Sequence, residues 1–438
     1  MIIKNLEIKK VVFRGLGLGF DEDGAIFVDN AYPGDILDVE TFRSKGKTRF
    51  ARINKVIEPA EIRQQATCEA FGTCGGCDWL DIDYSAQLHL KQEIMEEVLG
   101  NMGTIDPIIG SDTPEHYRNK SFMPVSQIDD KPIIGIFQKR SHDVIEHSDC
   151  KIQPKIYDEI AAEFIQYAIA SKLKVYNEKN QKGTLRHLGF RRSEANGEII
   201  LVLVTRSRKL PFTNQLINRM KEKFPQVVGI IQNINPTNGN VILGDSEKIL
   251  FGQDYLTEKI EHVSFKLNYR SFFQINHSTT TKLYDYIKAQ IGADETVMDA
   301  YSGVGTIGIF LAEQAKKVIG VESVETAVED AKKNVELNNL DNCFYQVGLV
   351  EDKLAEICSN ETLDTIIFDP PRKGLEPKII AVLAENPVKK IIYVSCNPMT
   401  QKRDLELLLQ VGYKIEKIQP FDMFPQTWHI ENIVVLTK

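Results

Sequence analysis

Two short strings near the carboxyl end hold residue types that do chemistry: Asp369-Pro370-Pro371-Arg372-Lys373-Gly374 and Ser395-Cys396-Asn397-Pro398. Each follows an apolar run that reads as a buried strand, Thr365-Ile366-Ile367-Phe368 and Ile391-Ile392-Tyr393-Val394. In parallel α/β sheets, ligands and catalytic groups gather at strand carboxyl ends, so both strings are expected on one rim. The prolines withhold two backbone donors and stiffen a turn suited to a flat ligand beside the carboxylate. A single cysteine in such a place is a candidate nucleophile. The bland alternative is a buried structural cysteine beside a proline-rich turn.

A second group of thiols stands apart. Of seven cysteines, three fall in the pattern Cys68-x5-Cys74-x2-Cys77, and Cys150 lies far downstream. Four thiolates at such spacing suit a metal or iron–sulfur site, with Gly75 and Gly76 letting backbone amides approach the sulfurs. Spacing does not separate zinc from a cluster. Cys343 and Cys358 sit in apolar contexts and read as core fillers.

The elements that must position these groups fall into three stretches of a 438-residue chain, long enough for two or three domains. Hydrophobic residues at 42% and charged residues at 26% exclude a disordered protein. No apolar run approaches the roughly 20 residues of a membrane span, and Met1-Ile2-Ile3-Lys4 does not open a signal peptide. A cytoplasmic protein is expected, with no membrane association and no obligate protein partner. A disulfide framework is not expected in a large intracellular chain. Residues 1–59 alternate apolar and polar types between turns such as Pro33-Gly34, which predicts a small OB-like β-barrel. Residues 60–270 form a mixed α+β region with the cysteine cluster and an amphipathic helix carrying Leu88, Ile94, Met95, Val98, Leu99 and Met102. Residues 271–438 alternate strand and helix. Seven strands, at 297–298, 318–321, 343–347, 364–368, 390–394, 414–419 and 432–436, predict a doubly wound α/β sheet. Ser323 is expected to cap the helix carrying Val324, Val328, Ala331 and Val335.

Net charge is −8, yet phosphate contacts need only one basic surface. Two stretches permit one: Arg43, Lys45, Lys47, Arg49, Arg52 and Lys55, then Arg186, Arg191, Arg192, Arg206, Arg208 and Lys209. The turn Gly303-Val304-Gly305-Thr306-Ile307-Gly308, with Glu322 downstream, fits any adenosine ligand, because glycines permit close backbone approach and an acid grips ribose hydroxyls. A nicotinamide dehydrogenase needs neither Asp-Pro-Pro nor a rim cysteine. S-adenosylmethionine with a methyl acceptor beside its sulfonium does find uses for them.

Taken in order, several strings resemble the RNA uracil-C5 methyltransferase family. They are Ser271-Phe272-Phe273-Gln274-Ile275-Asn276, the turn from Asp299 to Gly305, Asp369-Pro370-Pro371-Arg372, Ser395-Cys396-Asn397-Pro398, and Phe424-Pro425-Gln426-Thr427-Trp428-His429-Ile430-Glu431. The cysteine pattern with Cys77-Asp78-Trp79-Leu80 and Gln87, together with the β-rich start, resembles the RumA/RlmD-like ribosomal RNA branch. That branch carries a TRAM domain and a four-iron cluster. The resemblance implies a class I SAM-dependent methyltransferase domain over 271–438, a TRAM barrel over 1–59, and a [4Fe-4S] cluster on Cys68, Cys74, Cys77 and Cys150. It implies cofactor contacts from Gln274, Tyr301, Thr306, Glu322 and Asp369, with Asp369 an alternative holder of the uracil edge. Thr306 stands where the family often has Asn, and Gly348-Leu349 replaces the usual acidic residue after the third strand.

Uracil C5 is too poor a nucleophile to attack a methyl sulfonium unaided. The implied mechanism adds a thiolate at C6, methylates C5, and then removes the C5 proton. Cys396 matches the nucleophile and Glu431 the base. His429, two residues earlier, is the rival base and would share its face on a strand. The implied substrate is RNA, 23S ribosomal RNA in that branch, with a transfer RNA T-loop uridine as the alternative target. A cytosine-C5 methyltransferase fits less well, since Pro371 and Arg372 occupy the place of its usual cysteine. An NAD-dependent oxidoreductase and a non-catalytic RNA-binding protein leave Cys396 and Glu431 unexplained.

Overall fold

Period-two alternation closes the amino-terminal segment into a five-stranded barrel in the computed structural model, which describes residues 1–438. Its strands are β1 (Ile2–Val12), β2 (Leu16–Asp21), β3 (Gly24–Val28), β4 (Ile36–Lys45) and β5 (Thr48–Glu58), in the order β1-β2-β3-β5-β4. Inward-facing Leu6, Ile8, Ile26, Val28, Leu37 and Val39 fill it. The barrel expected over 1–59 is therefore present. Helix α1 (Tyr84–Leu99) follows, with the Asp83 carboxylate accepting from the Ala86 amide at 2.9 Å as its cap. Its buried face carries Leu90, Ile94, Met95, Val98 and Leu99, and also two polar residues, Gln87 and Lys91.

The central region is a mixed sheet. Strands β6 (Lys120–Ile128), β7 (Lys131–Phe137) and β8 (Val144–Glu146) precede α2 (Lys155–Ala170); β9 (Leu185–Arg192) and β10 (Ile199–Thr205) precede α3 (Thr213–Lys223); β11 (Val227–Ile234) and β12 (Ser246–Gly252) complete it. The order is β12-β11-β10-β9-β6-β7-β8. Strand β10 is buried along its whole length, because α2 and α3 cover one face and a hairpin, β13 (Tyr255–Ile260) and β14 (Val263–Asn268), packs on the other.

Helix α4 (His277–Lys288) leads into alternating strands and helices: β15 (Thr296–Ala300), α5 (Thr306–Leu311), β16 (Lys317–Glu322), α6 (Glu325–Leu337), β17 (Cys343–Val347), α7 (Val350–Asn360) and β18 (Thr365–Phe368). These four strands run parallel in the order β17-β16-β15-β18. The chain ends with α8 (Pro377–Glu385), β19 (Lys390–Ser395), α9 (Pro398–Gln410), β20 (Lys414–Phe421) and β21 (Glu431–Thr437), where β21 pairs antiparallel with both β19 and β20. All seven strands expected after residue 290 are present. Ser323 does not cap α6; its hydroxyl bonds the Glu322 carboxylate at 2.9 Å, and Val324 takes the cap position without a side-chain bond.

Contacts group the chain differently from the sequence segments. One unit holds residues 1–71, 77–114 and 370–438, and the other holds 72–76 and 115–369. In the second unit Tyr345 of β17 is buried against three glycines. A Cβ at Gly320 would stand 2.0 Å from its ring, one at Gly305 2.8 Å, and one at Gly308 2.6 Å from its hydroxyl. Gly320→Ala is therefore expected to destabilise the protein by about 1–3 kcal/mol through overpacking, measured by denaturant titration. Unchanged stability would show that the ring can move aside.

Candidate active site

The five expected cofactor contacts lie in the second unit. Asp299 closes β15 with a buried carboxylate that accepts from the Gly308 amide at 2.9 Å. Tyr301 follows at φ +64°, a left-handed backbone that a tyrosine adopts at some cost and that gathers at ligand clamps. The glycine-rich turn divides its labour. Gly305 and Gly308 make room for Tyr345, whereas a Cβ at Gly303 would meet nothing within 4 Å, so Gly303 is where a ligand can approach the backbone. The Gly303 amide donates to Glu322 Oε2 at 3.1 Å, and the Val324 amide donates to Glu322 Oε1 at 2.9 Å, fixing that carboxylate at the head of β16. Thr306 starts α5 and shares a 2.8 Å hydrogen bond with Tyr284. Gln274 is buried in the loop before α4, its carbonyl held by the Asn119 amide group at 3.2 Å. Asp369 follows β18. Burial pushes both Asp299 and Asp369 up to about 7, and for Asp299 the neighbouring Asp369 and Glu322 charges act in the same direction.

The catalytic candidates lie in the first unit. The last registered pair between β19 and β21 is Ser395 with Asn432. Cys396 is the first residue after β19 and Glu431 the first residue of β21, so both stand at the same end of this strand pair. Their register is held by Gln401 of α9, which is fully buried. It accepts from Asn432 Nδ2 at 2.7 Å and donates to the Tyr393 carbonyl at 2.9 Å. The string Ser395-Cys396-Asn397-Pro398 is a strand-to-helix junction: Asn397 caps α9 and Pro398 takes its first turn. Cys396 thus sits at the amino end of a 13-residue helix, where the macrodipole favours a thiolate. The Arg372 carbonyl accepts from Asn397 Nδ2 at 3.0 Å and from Thr400 Oγ1 at 3.1 Å, and buried Asp404 accepts from the Leu375 amide at 2.8 Å. Gly374 is required there, because a Cβ would stand 2.3 Å from Asp404 Oδ2. Lys373 pairs with Glu376 at 2.5 Å, which leaves the exposed Arg372 as the cation of that loop. His429 lies outside β21, which begins at Glu431, so the shared strand face expected of the two does not exist. Its ring packs against that of Trp428, with centroids 3.9 Å apart and planes tilted by 35°.

The four clustered cysteines are divided between the units, Cys68 and Cys77 in the first, Cys74 and Cys150 in the second. The Gly76 amide does approach Cys74 Sγ, at 3.3 Å, while the Gly75 amide bonds the Phe137 carbonyl instead. Burial pushes the Cys150 thiol up to about 11. No three His, Cys, Asp or Glu side chains are gathered as a set able to hold a metal ion, so the thiols as they stand form no ligand shell.

The basic stretches are partly structural. Buried Arg49 pairs with Asp21, and Arg52 pairs with Glu40 at 2.6 Å; Arg43, Lys45, Lys47 and Lys55 remain exposed. Arg186 donates to the Asn235 and Thr237 carbonyls, Arg191 to those of Asn268 and Ser271, and Arg192 pairs with Glu194, so these three brace loops. Sequence reading missed a cleft of about 530 Å³ bordered by Lys131, Lys172, Lys174 and Lys182, with Asp130 as its one acid. Its lysines are dispersed along the chain, and only the fold of the second unit collects them. Val324, expected on the buried face of its helix, and Leu349 after the third strand are instead exposed apolar residues just beyond β16 and β17.

Comparison with known proteins gives a consistent result. A family model described as tRNA (Uracil-5-)-methyltransferase matches residues 83–438. An uncharacterized RNA methyltransferase of Halalkalibacterium halodurans is 38% identical over 99% of this chain and 96% of its own length. One from Enterococcus faecalis is 37% identical over the same shares. The crystal structure of Pyrococcus abyssi tRNA (uracil-54, C5)-methyltransferase in complex with S-adenosyl-L-homocysteine is similar, with a TM-score of 0.81 and 27% identity over 99% of this chain and 100% of that one.

The two raised carboxyls make stability depend on pH. Below the ordinary carboxylate range both folded and unfolded states are protonated. Between there and about 7 the unfolded chain ionises first, so stability falls as pH rises, by on the order of 1.4 kcal/mol per unit per carboxyl. Asp299→Asn keeps an acceptor for Gly308 and should flatten the curve between pH 4 and pH 7, measured by urea titration at each pH. A variant as pH-sensitive as the parent would contradict the assignment.

Proposed function

The chain belongs to the tRNA (uracil-5-)-methyltransferase family and is an RNA (uracil-5-)-methyltransferase, and from that premise we propose how its residues divide the reaction. The uridine is methylated at C5 through a covalent adduct on Cys396, with Glu431 as base. The observation that supports this reading is the register of β19 and β21, which ends at Ser395 and Asn432 and so leaves Cys396 and Glu431 at one end of the strand pair.

The Cys396 thiolate adds to C6 of uracil, forming the S–C6 bond and sending the C5=C6 electrons toward the C4 oxygen. S-adenosylmethionine supplies the electrophilic methyl group that the activated C5 takes. Glu431 then accepts the C5 proton, the C–H electrons restore C5=C6, and the S–C6 electrons leave with Cys396 as thiolate. The backbone of buried Glu431, at the head of β21, is registered by strand pairing while its side-chain aim depends on the loop before it, whereas the His429 ring packs against Trp428. For the cofactor, Glu322 takes the ribose hydroxyls, Gln274, Tyr301 and Thr306 line the site, and Val324 and Leu349 supply apolar faces for adenine. Asp369, with Asp299 behind it, attracts the cofactor's positive end, an attraction that strengthens as these carboxyls ionise above about pH 7.

The substrate uridine must leave its stack to reach Cys396. The barrel acts as a TRAM-type RNA-binding module, and the lysine-bordered cleft grips phosphates. The cysteine spacing and the barrel support 23S ribosomal RNA as the target. The likeness to a transfer RNA methyltransferase favours a second reading, a T-loop uridine. Mapping 5-methyluridine in ribosomal and transfer RNA from cells with and without the protein decides between them.

Cys396→Ala is expected to abolish methyl transfer while S-adenosylmethionine binding persists. Glu431→Gln should form the adduct and release it slowly, giving a protein–RNA band in denaturing gels. Full activity of the first variant, or rapid turnover of the second, would contradict the assigned roles.

Cys68, Cys74, Cys77 and Cys150 remain the proposed ligands of a [4Fe-4S] cluster on spacing and donor type alone, and no catalytic step depends on it. Anaerobically purified protein should be brown and contain iron and sulfide, and Cys150→Ala should lose both. Colourless protein with stoichiometric zinc would replace the cluster by a zinc site.

A further inference from the structure

The nine residues 422–430, which join β20 to β21 and end at Glu431, are held from three sides. Strand pairing sets Phe421 opposite Glu431, so the loop begins and ends beside the base. Hairpin loops usually take two to five residues, and a longer one needs outside contacts to keep one shape. At its start, fully buried Asp422 accepts from Lys91 Nζ of α1 at 2.6 Å, and the same ammonium donates to the Phe424 carbonyl at 3.2 Å. At its end, Trp428 meets Phe13 edge-on at 5.3 Å, and a Cβ at Gly15 in the barrel's first turn would stand 2.6 Å from Trp428 Cβ.

The middle is the most constrained. Gln426 is buried at φ +67°, a left-handed conformation that glutamine does not favour. Its carbonyl accepts from the Asp78 and Trp79 amides at 2.8 and 3.1 Å. Its amide donates to Gln87 Oε1 at 2.9 Å, and its side-chain oxygen accepts from Gln87 Nε2 at 2.8 Å. Gln87 Nε2 also donates to the Trp79 and Ile82 carbonyls, at 3.0 and 3.2 Å. Gln87 is itself buried, so one carboxamide both accepts from and donates to the loop and ties it to the segment after Cys77. That segment is fastened in turn to the barrel, where Arg63 bridges Asp35 at 2.7 Å and Asp81 at 2.5 Å, and Tyr32 bonds Asp81.

We propose that Gln87 is a positioning residue for proton removal: by holding Gln426 in its left-handed conformation it keeps Glu431 aimed at C5 of the covalent adduct. The proposal rests on the covalent reading above. A glutamate at 87 would lose the donor and a methionine would lose both partners, so the loop would relax and move the base. Addition of Cys396 to C6 does not use the loop. Misplacement by about 1 Å costs on the order of 100-fold in such steps, so resolution of the adduct should slow while its formation does not.

The test compares the full-length wild type with Gln87→Met and with the milder Gln426→Asn. Asn keeps the left-handed backbone and the backbone amide bond to Gln87, but its side chain is too short to accept from Gln87 Nε2. Two transcripts are used, one with ordinary uridine and one with 5-fluorouridine, whose C5 fluorine no base can remove as a proton. Adduct formation on the fluorinated RNA should proceed at the wild-type rate in both variants. On ordinary RNA both should accumulate adduct and turn over slowly with cofactor affinity near wild type; the thermal midpoint falls in Gln87→Met, which leaves buried partners unpaired, and stays near wild type in Gln426→Asn. Wild-type turnover in Gln87→Met would overturn the proposal, as would formation and resolution falling together with the midpoint. Failure of the wild type itself to form an adduct on fluorinated RNA would remove the covalent reading, a separate outcome.

Discussion

Strand register between β19 and β21 is the constraint on which the catalytic account depends. With Ser395 opposite Asn432, the proposed nucleophile Cys396 and the proposed base Glu431 adjoin that pair along the chain. A slip by one residue would send every side chain of β21 to the other face, and Glu431 would leave Cys396. Register is protected by buried polar groups that accept no substitute partner at their depth. Gln401 reads both the Tyr393 carbonyl and the Asn432 side chain, and Asp404 ties Tyr393 to the turn after Pro371 at 2.7 and 2.8 Å. The same helix that supplies Gln401 and Asp404 begins two residues after Cys396. One element therefore sets the register, anchors the loop and favours the thiolate.

The cofactor half obeys a different logic. Its geometry depends on a large side chain surrounded by residues that have none. Tyr345 lies against Gly305, Gly308 and Gly320, and its hydroxyl donates to the Gly305 carbonyl at 3.2 Å. With that ring in place the turn after β15 is rigid, Tyr301 is held in a left-handed backbone, and Gly303 alone faces open space. Two carboxyls at the heads of neighbouring strands, Asp299 and Asp369, are raised toward neutrality by burial. A cationic ligand that restores their charge would bind where the protein by itself is least comfortable.

Much of this was legible in the sequence. Alternating apolar residues and Pro-Gly turns indicate the barrel, and apolar runs spaced by helical segments indicate all seven carboxy-terminal strands. Asp-Pro-Pro-Arg and Ser-Cys-Asn-Pro indicate candidate chemistry because few folds need those residues there. What was not legible is what depends on distant partners. Nothing in Gly305 or Gly308 says that they make room for Tyr345 and that only Gly303 of that turn is left open to a ligand. Arg186 and Arg191 look like a phosphate surface and instead satisfy carbonyls, since a buried guanidinium finds acceptors only in the folded chain. Gln87 and Lys91 lie four apart on the buried stripe of α1, a visible pattern, but their partners Gln426 and Asp422 stand more than three hundred residues away. His429 shares a period of two with Glu431, yet the strand starts too late for that period to apply.

The central claim is that C5 of a uridine gains a methyl group and loses its proton through Cys396 and Glu431. The most direct measurement supplies purified protein with RNA tritiated at uridine C5 and with methyl-labelled S-adenosylmethionine, and counts both labels. The account predicts that one tritium passes to water for each methyl group entering RNA, and that the product is 5-methyluridine. Methyl transfer to RNA with the C5 tritium retained would contradict it.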